Sequence, residues 1–96
     1  MDFLHRFSEA VSDGRVKHTR LADGTGVLVD TESLQVLATN ESGAFVVERV
    51  GAGVDDEQRL VDEIVAEFET DADTARSDLD RFLQRIEASL FPPVER

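Results

Sequence analysis

The sequence predicts an α+β fold, in which an N-terminal helix is followed by a three-stranded antiparallel sheet and then by three helices. Two observations carry this prediction. Apolar residues repeat at helical spacing in residues 3–11 and again from residue 45 to residue 90, whereas residues 16–39 contain short alternating runs. Turn residues separate these runs, and a chain of 96 residues has room for one core.

The N-terminal segment has one apolar face. The residues that would share this face of a helix are Phe3, Leu4, Phe7, Ala10 and Val11. The sequence SDGR follows, and Gly14 is typical of a left-handed helix end. A helix this short is marginal unless its apolar face packs, so we expect a helix that docks on the core or one that binds a partner or a second copy. Residues 1–15 are therefore predicted to be a helical extension.

Residues 16–39 are predicted to form the three strands. Residues 16–21 alternate weakly before a turn at Asp23-Gly24, which is typical of an edge strand. GVLVD and LQVLAT are more apolar, and the intervening DTES supplies turn residues. We therefore expect Gly26–Asp30 and residues 34–39 to pair as a hairpin. Because both faces of this hairpin are apolar in part, one should meet the helices while the other is partly exposed or covered.

Three helices are predicted after the hairpin, each with a polar residue at its start. Asn40 is a good N-cap, and Glu41 places a negative charge where the helix dipole favours it. Asp55, three residues before a glutamine, resembles a capping box for the second helix. Asp71 or Thr70 is expected to cap the third.

The predicted order of elements is close to a winged helix-turn-helix whose hairpin lies at the front. Apolar residues repeat at helical spacing as far as Leu90, and Pro92-Pro93 then prevents the last helix from continuing. We therefore expect the main domain to span residues 16–91 and a short tail to span residues 92–96.

Composition excludes several classes of site. The formal net charge is −11, from 21 acidic and 10 basic residues, and such a surface repels the phosphate backbone of a nucleic acid. The chain has no cysteine, which excludes disulfides, thiolate nucleophiles and iron–sulfur ligation. It has no run of 18 apolar residues, and Asp2, His5 and Glu9 interrupt any signal-peptide pattern. We expect a soluble, cytoplasmic protein that has neither a nucleic-acid nor a membrane partner.

The polar residues do not have the spacing of a catalytic or metal-binding set. His5 and His18 lie in separate predicted elements and lack the spacing of metal ligands. The acidic pairs lie at helix starts, where capping and the helix dipole account for them. The glycines of ADGTG are not followed by Lys-Ser or Lys-Thr, and no serine lies in a nucleophile elbow. The sequence predicts a protein that is not an enzyme and that uses no cofactor or metal.

Two long segments carry a family resemblance: GVLVDTESLQVLATNESGAFVVERV and RLVDEIVAEFETDADTARSDLDRFLQRIEASLF. The order of their motifs resembles the PqqD family, small peptide-binding proteins of pyrroloquinoline quinone biosynthesis and related pathways. Members have a strand that ends in Asp, a Leu-Asn-Glu-x-Gly-Ala-type junction, a DEIV-like second helix and a Phe-Leu pair in the third. The junction here is TNESGA, with Thr39 where leucine is common. The resemblance covers about residues 16–91.

This resemblance implies a recognition element for RiPPs, the ribosomally synthesised and post-translationally modified peptides. Such a domain binds the leader of a precursor peptide and delivers it to a modifying enzyme, such as a radical SAM protein or a lasso-type leader peptidase. In the family the leader adds as an antiparallel strand to the third strand and lies against the third of the following helices. Carried to this chain, the expected peptide-binding residues are Leu34, Gln35, Val36, Leu37, Ala38 and Thr39, together with Arg81, Phe82 and Arg85.

The side-chain roles and two other functions stay open at this point. Phe82 and Leu83 provide an apolar pocket or belong to the core, and Arg81 or Arg85 pairs with an acidic leader or is solvated. A winged-helix DNA-binding regulator is one alternative, although the charge of −11 and the lack of a basic recognition helix argue against it. A dimerising structural domain is the other, and the N-terminal apolar face is the feature that would form a homodimer.

Overall fold

The computed structural model describes residues 3–91, which form four helices and one sheet in the predicted order. The helices are α1 (Phe3–Ser12), α2 (Glu41–Gly51), α3 (Glu57–Phe68) and α4 (Ala72–Leu90), and the strands are β1 (Val16–Arg20), β2 (Gly26–Asp30) and β3 (Val36–Thr39). All pairings are antiparallel, and the order β1-β2-β3 leaves β1 and β3 at the two edges. The α+β, winged-helix-like fold is confirmed. The predicted tail, residues 92–96, lies outside the described residues.

The core lies between one face of the sheet and the four helices. Leu28 of β2 is fully buried on this face, and every helix contributes buried residues to the same cluster. In α1, Leu4 and Phe7 have no exposed surface. The helix therefore docks on the core of its own chain, and its apolar face is not available to a second copy. A homodimer stays a prediction that this feature no longer supports.

Side-chain caps fix where the later helices begin. The Asn40 side chain accepts from an N–H three residues on, at 2.9 Å, and Asp71 does the same at 2.7 Å. Both caps agree with the sequence. The expectation that Asp55 caps α3 was wrong by one residue, because the Asp56 carboxylate accepts from the Arg59 N–H and the helix begins after it.

The third strand begins two residues later than predicted. Leu34 has a φ of 62° and so leaves the extended region, and its N–H donates to the Asp30 carbonyl at 2.7 Å. The carboxylate of Asp30 also accepts from the N–H groups of Glu32 and Ser33, which closes the turn over residues 31–35. Leu34 and Gln35 therefore belong to the turn that leads into β3, and the prediction of a strand over residues 34–39 holds only from Val36 onward.

Candidate functional site

The open edge of β3 presents the backbone groups of two residues. The Asp30 N–H donates to the Gln35 carbonyl at 2.9 Å, in line with the register of β2 and β3. Hydrogen-bonded and non-hydrogen-bonded pairs alternate along an antiparallel ladder, so the backbone groups of Leu37 bond to β2. Those of its two neighbours, Val36 and Ala38, point away from β2. The outer edge of the sheet is therefore an available hydrogen-bonding edge.

The side chains of β3 divide between the two faces of the sheet. Val36 is 63% exposed and Ala38 is also exposed, whereas Leu37 packs partly against the core and Thr39 is buried. The Thr39 hydroxyl has no hydrogen-bond partner among residues 3–91. No helix within residues 3–91 covers the face of β3 that carries Val36 and Ala38, so these two side chains are in solvent while those of Leu37 and Thr39 face the core.

A cleft of about 290 Å³ lies between the end of β3 and helix α4. Phe82 follows Arg81 by one residue and Arg85 follows it by four, so the three side chains lie on one side of α4. The lining is completed by the start of α2 and by one acidic residue of α4, and its members are Asn40, Ser42, Asp78, Arg81, Phe82 and Arg85. All three helical residues predicted from the sequence therefore meet in one cleft.

Phe82 is a core residue and also forms part of the cleft wall. Its side chain is 7% exposed and belongs to the core cluster, as does the neighbouring Leu83. Phe82 therefore belongs to the core and also lines the cleft, whereas Leu83 does not line the cleft, and a role of Phe82 in peptide binding stays a prediction. The apolar part of the cleft is a surface of the packed core, and we expect it to be rigid.

The two arginines of the cleft have different partners. The Arg81 guanidinium donates to the Asp78 carboxylate at 2.8 Å, and the Arg81 side chain is 71% exposed whereas that of Asp78 is 44% exposed. Arg85 Nη2 instead donates to the backbone carbonyl of Ala38 at 3.2 Å. This bond spans the cleft and joins α4 to the open edge of β3.

Gly43, in the first turn of α2, allows the three elements around the cleft to approach. A Cβ at this position would lie 2.9 Å from the Phe82 ring and 3.0 Å from the Cβ of Thr39. Reasoning from the sequence took the TNESGA junction as a capped helix start and as a family motif, and it missed that Asn40 and Ser42 line the cleft. Their position could have indicated this, because these polar residues directly follow the strand that was predicted to bind the peptide.

A buried ion pair supports the turn that precedes β3, and sequence reasoning did not find it. Asp30 is fully buried, and its Oδ2 lies 3.0 Å from Arg15 Nη2. Arg15 also donates to the Leu90 carbonyl at 3.1 Å and lies over the Phe91 ring. The hydrogen bond from Arg15 outweighs the effect of burial and holds the pKa of Asp30 at about 2, below its ordinary value of 3.8. Asp30 thus ties the β2–β3 turn to the end of α4.

Leu34 is in a strained conformation that its side chain does not compensate. Its φ is 62°, which favours glycine or asparagine, and its side chain is 76% exposed. We therefore expect Leu34→Asn to raise the free energy of unfolding by about 0.5 kcal/mol in urea denaturation. Leu34→Ala is the matched control, because it removes the exposed side chain and keeps the strain, and we expect no gain from it. A destabilised Leu34→Asn variant would contradict this interpretation.

The two edges of the sheet differ in charge. The sequence of β1 is VKHTR, with Lys17 and Arg20, whereas the sequence of β3 is VLAT, with no charged residue. A cleft of about 330 Å³ also lies beside β1, so the presence of a cleft does not distinguish the edges. Charged side chains on an edge strand, lysine above all, discourage pairing with another strand. By this criterion β3 is the edge suited to accept one.

Within residues 3–91, no group of three or more His, Cys, Asp and Glu side chains is placed to hold a metal ion. None of the helices described has the length and apolar character needed to cross a membrane.

The chain is similar to known proteins both in its fold and in its sequence family. Among solved structures, the chain is similar to TbiB1 in complex with the TbiA(beta) leader peptide, with a TM-score of 0.67 and 22% identity over 84% of this chain and 94% of that chain. This likeness supports the fold. No curated protein sequence matches the chain. Residues 25–89 match the family model described as Coenzyme PQQ synthesis protein D (PqqD). Since the match covers more than half of the sequence, the chain belongs to the PqqD family.

Proposed function

We propose that this protein is a RiPP recognition element, which binds the leader of a ribosomally made precursor peptide as an added strand on β3 and presents it to a modifying enzyme. The observation that carries the proposal is the open, uncharged edge of β3 beside the cleft with α4. Membership of the PqqD family supports it, and TbiB1, which shares the fold, was solved with a leader peptide. Family membership also favours a peptide partner over DNA.

The backbone of β3 would supply most of the affinity. Strand addition draws its binding energy from main-chain hydrogen bonds, and the outward groups of Val36 and Ala38 are placed to form them. Side chains of a guest strand alternate between its two faces. One set would extend the exposed face that carries Val36, and the other would enter the cleft beside Phe82 and Arg85.

The proposed role involves no catalysis by this chain. The cleft is lined by two arginines, one phenylalanine and short polar or acidic side chains, which are groups suited to holding a peptide. Chemistry on the precursor would belong to the partner, such as a radical SAM protein or a lasso-type leader peptidase, acting in the cytoplasm.

Titration of the isotopically labelled protein with a leader peptide tests this proposal. The peptides to try are the leaders of short precursor genes that neighbour the gene for this chain, with a scrambled leader as the control. We expect a Kd of about 1 µM or lower. We also expect amide chemical-shift changes concentrated in β3 and α4. Binding that leaves both elements unshifted would refute strand addition at β3.

A further inference from the structure

The side chain of Arg85 occupies part of the edge on which a guest strand would add. Its Nη2 donates to the Ala38 carbonyl at 3.2 Å, and this carbonyl points away from β2. A guest strand that pairs along β3 needs the same acceptor for one of its own N–H groups. Arg85 and the guest therefore meet at one carbonyl oxygen, which has two lone pairs.

Among the described residues, Arg85 also lacks the carboxylate partner that most of the arginines have. Within residues 3–91, six of the eight arginines have a carboxylate oxygen within 4.0 Å, and the exceptions are Arg76 and Arg85. Arg76 bonds to the side-chain oxygen of Gln58, whereas the described bond of Arg85 is to backbone. A guanidinium has five N–H donors, so Arg85 retains most of its hydrogen-bonding capacity beside the cleft.

We propose that Arg85 is a specificity-determining residue that selects peptides with an Asp or Glu at the position beside Ala38. The inference rests on the proposed function, because it assumes that a peptide pairs with β3. On binding, an N–H of the guest donates to the Ala38 carbonyl, and the Arg85 guanidinium, which has five N–H donors, bonds to the guest carboxylate. A guest without this acid forms no charge-assisted bond with Arg85 and should therefore bind less tightly.

The charges of the chain indicate that the preference for an acidic side chain applies to one residue of the peptide and not to the peptide as a whole. A net charge of −11 repels a generally acidic peptide at long range, so a preference for acid should be confined to the residue that meets Arg85. Arg81 lies in the same cleft but is already bonded to Asp78. Its substitution should therefore change the preference much less, and Arg81→Gln serves as the matched control for Arg85→Gln.

A random-peptide display library provides the probe, because it requires no knowledge of the natural precursor. Peptides that bind are selected separately with the wild type, with Arg85→Gln and with Arg81→Gln. For one selected peptide from each, changes in the amide chemical shifts of the protein locate the binding site. The Arg85 side chain is exposed and forms no ion pair with another residue of the range 3–91, so Arg85→Gln should fold, and its amide spectrum checks this.

We expect one acid-enriched position among peptides selected by the wild type and by Arg81→Gln, and no such position with Arg85→Gln. Changing this acid to its amide in a selected peptide should weaken binding to the wild type about 5-fold, and to Arg85→Gln less than about 2-fold. Peptides that map to β3 with no acid-enriched position, or with one that persists in Arg85→Gln, would overturn this inference and leave the proposed function intact. Selected peptides that never map to β3 would overturn the proposed function itself.

Discussion

Asp30→Asn is expected to lower the free energy of unfolding by about 2–3 kcal/mol in urea denaturation at pH 7. The carboxylate is fully buried, lies 3.0 Å from Arg15 and accepts two N–H groups of the turn before β3. The amide of asparagine carries no charge, so Arg15 loses its ionic partner in a site that is closed to water on the side of Asp30. The midpoint and slope of the urea transition give this loss of unfolding free energy.

Glu32→Gln is the matched control, because Glu32 lies 3.7 Å from the same arginine with its side chain 75% exposed. We expect a loss below about 0.5 kcal/mol from it, as for most surface ion pairs. Equal losses of unfolding free energy in Asp30→Asn and Glu32→Gln would show that burial of Asp30 does not strengthen its ion pair with Arg15.

The effect of Asp30→Asn should depend on pH in a defined direction. The pKa of Asp30 is lower in the folded chain, at about 2, than its ordinary value of 3.8. The folded state therefore favours the carboxylate, and this contribution to stability is complete above about pH 4 and is lost as pH falls towards about 2. The difference in unfolding free energy between wild type and Asp30→Asn should shrink over that interval, and a constant difference would contradict the assignment.

Val36→Pro is expected to weaken binding of the leader or of a selected peptide at least about 10-fold. The Val36 N–H points towards the open edge, so proline removes a donor that a guest strand would use and breaks no bond to β2. Proline is tolerated at the first position of an edge strand, and Val36 is that residue in β3. Fluorescence anisotropy with a labelled peptide measures the change.

Val36→Thr separates the backbone effect from the side-chain effect. It keeps the N–H and the β-branched shape, and we expect a change in Kd below about 3-fold. Urea denaturation of both variants checks that the sheet is intact. If the proline variant binds as well as the threonine variant, the guest does not use the backbone of β3 at this residue.

Local pattern was sufficient to predict most of the fold. Apolar residues at helical spacing gave α1, α3 and α4, and the Asn40 cap gave the start of α2, because each signal lies within a few residues of the element that it specifies. The start of β3 was placed too early, since leucine has no intrinsic preference for the positive φ that Leu34 adopts. The hydrogen bonds around Asp30 impose that conformation.

Less of the candidate site than of the fold could be predicted from the sequence. The strand and the helix that form it followed from the family resemblance, and the structure does place Arg81, Phe82 and Arg85 in one cleft. The bond between Arg85 and Ala38 joins residues 47 positions apart, and the pair of Arg15 with Asp30 also depends on tertiary packing. Periodicity reports which face of an element is apolar and carries no information about such distant polar partners.

The difference in charge between the two edges of the sheet bears on stoichiometry. A three-stranded sheet has two ends, and in principle a guest could extend each of them. Lys17 and Arg20 disfavour extension at β1, so on the proposed function we expect one peptide per chain and a saturating ratio of one to one. A chain that binds a precursor at β3 would then hold a single peptide at one edge of the sheet, and the β1 edge would bind none.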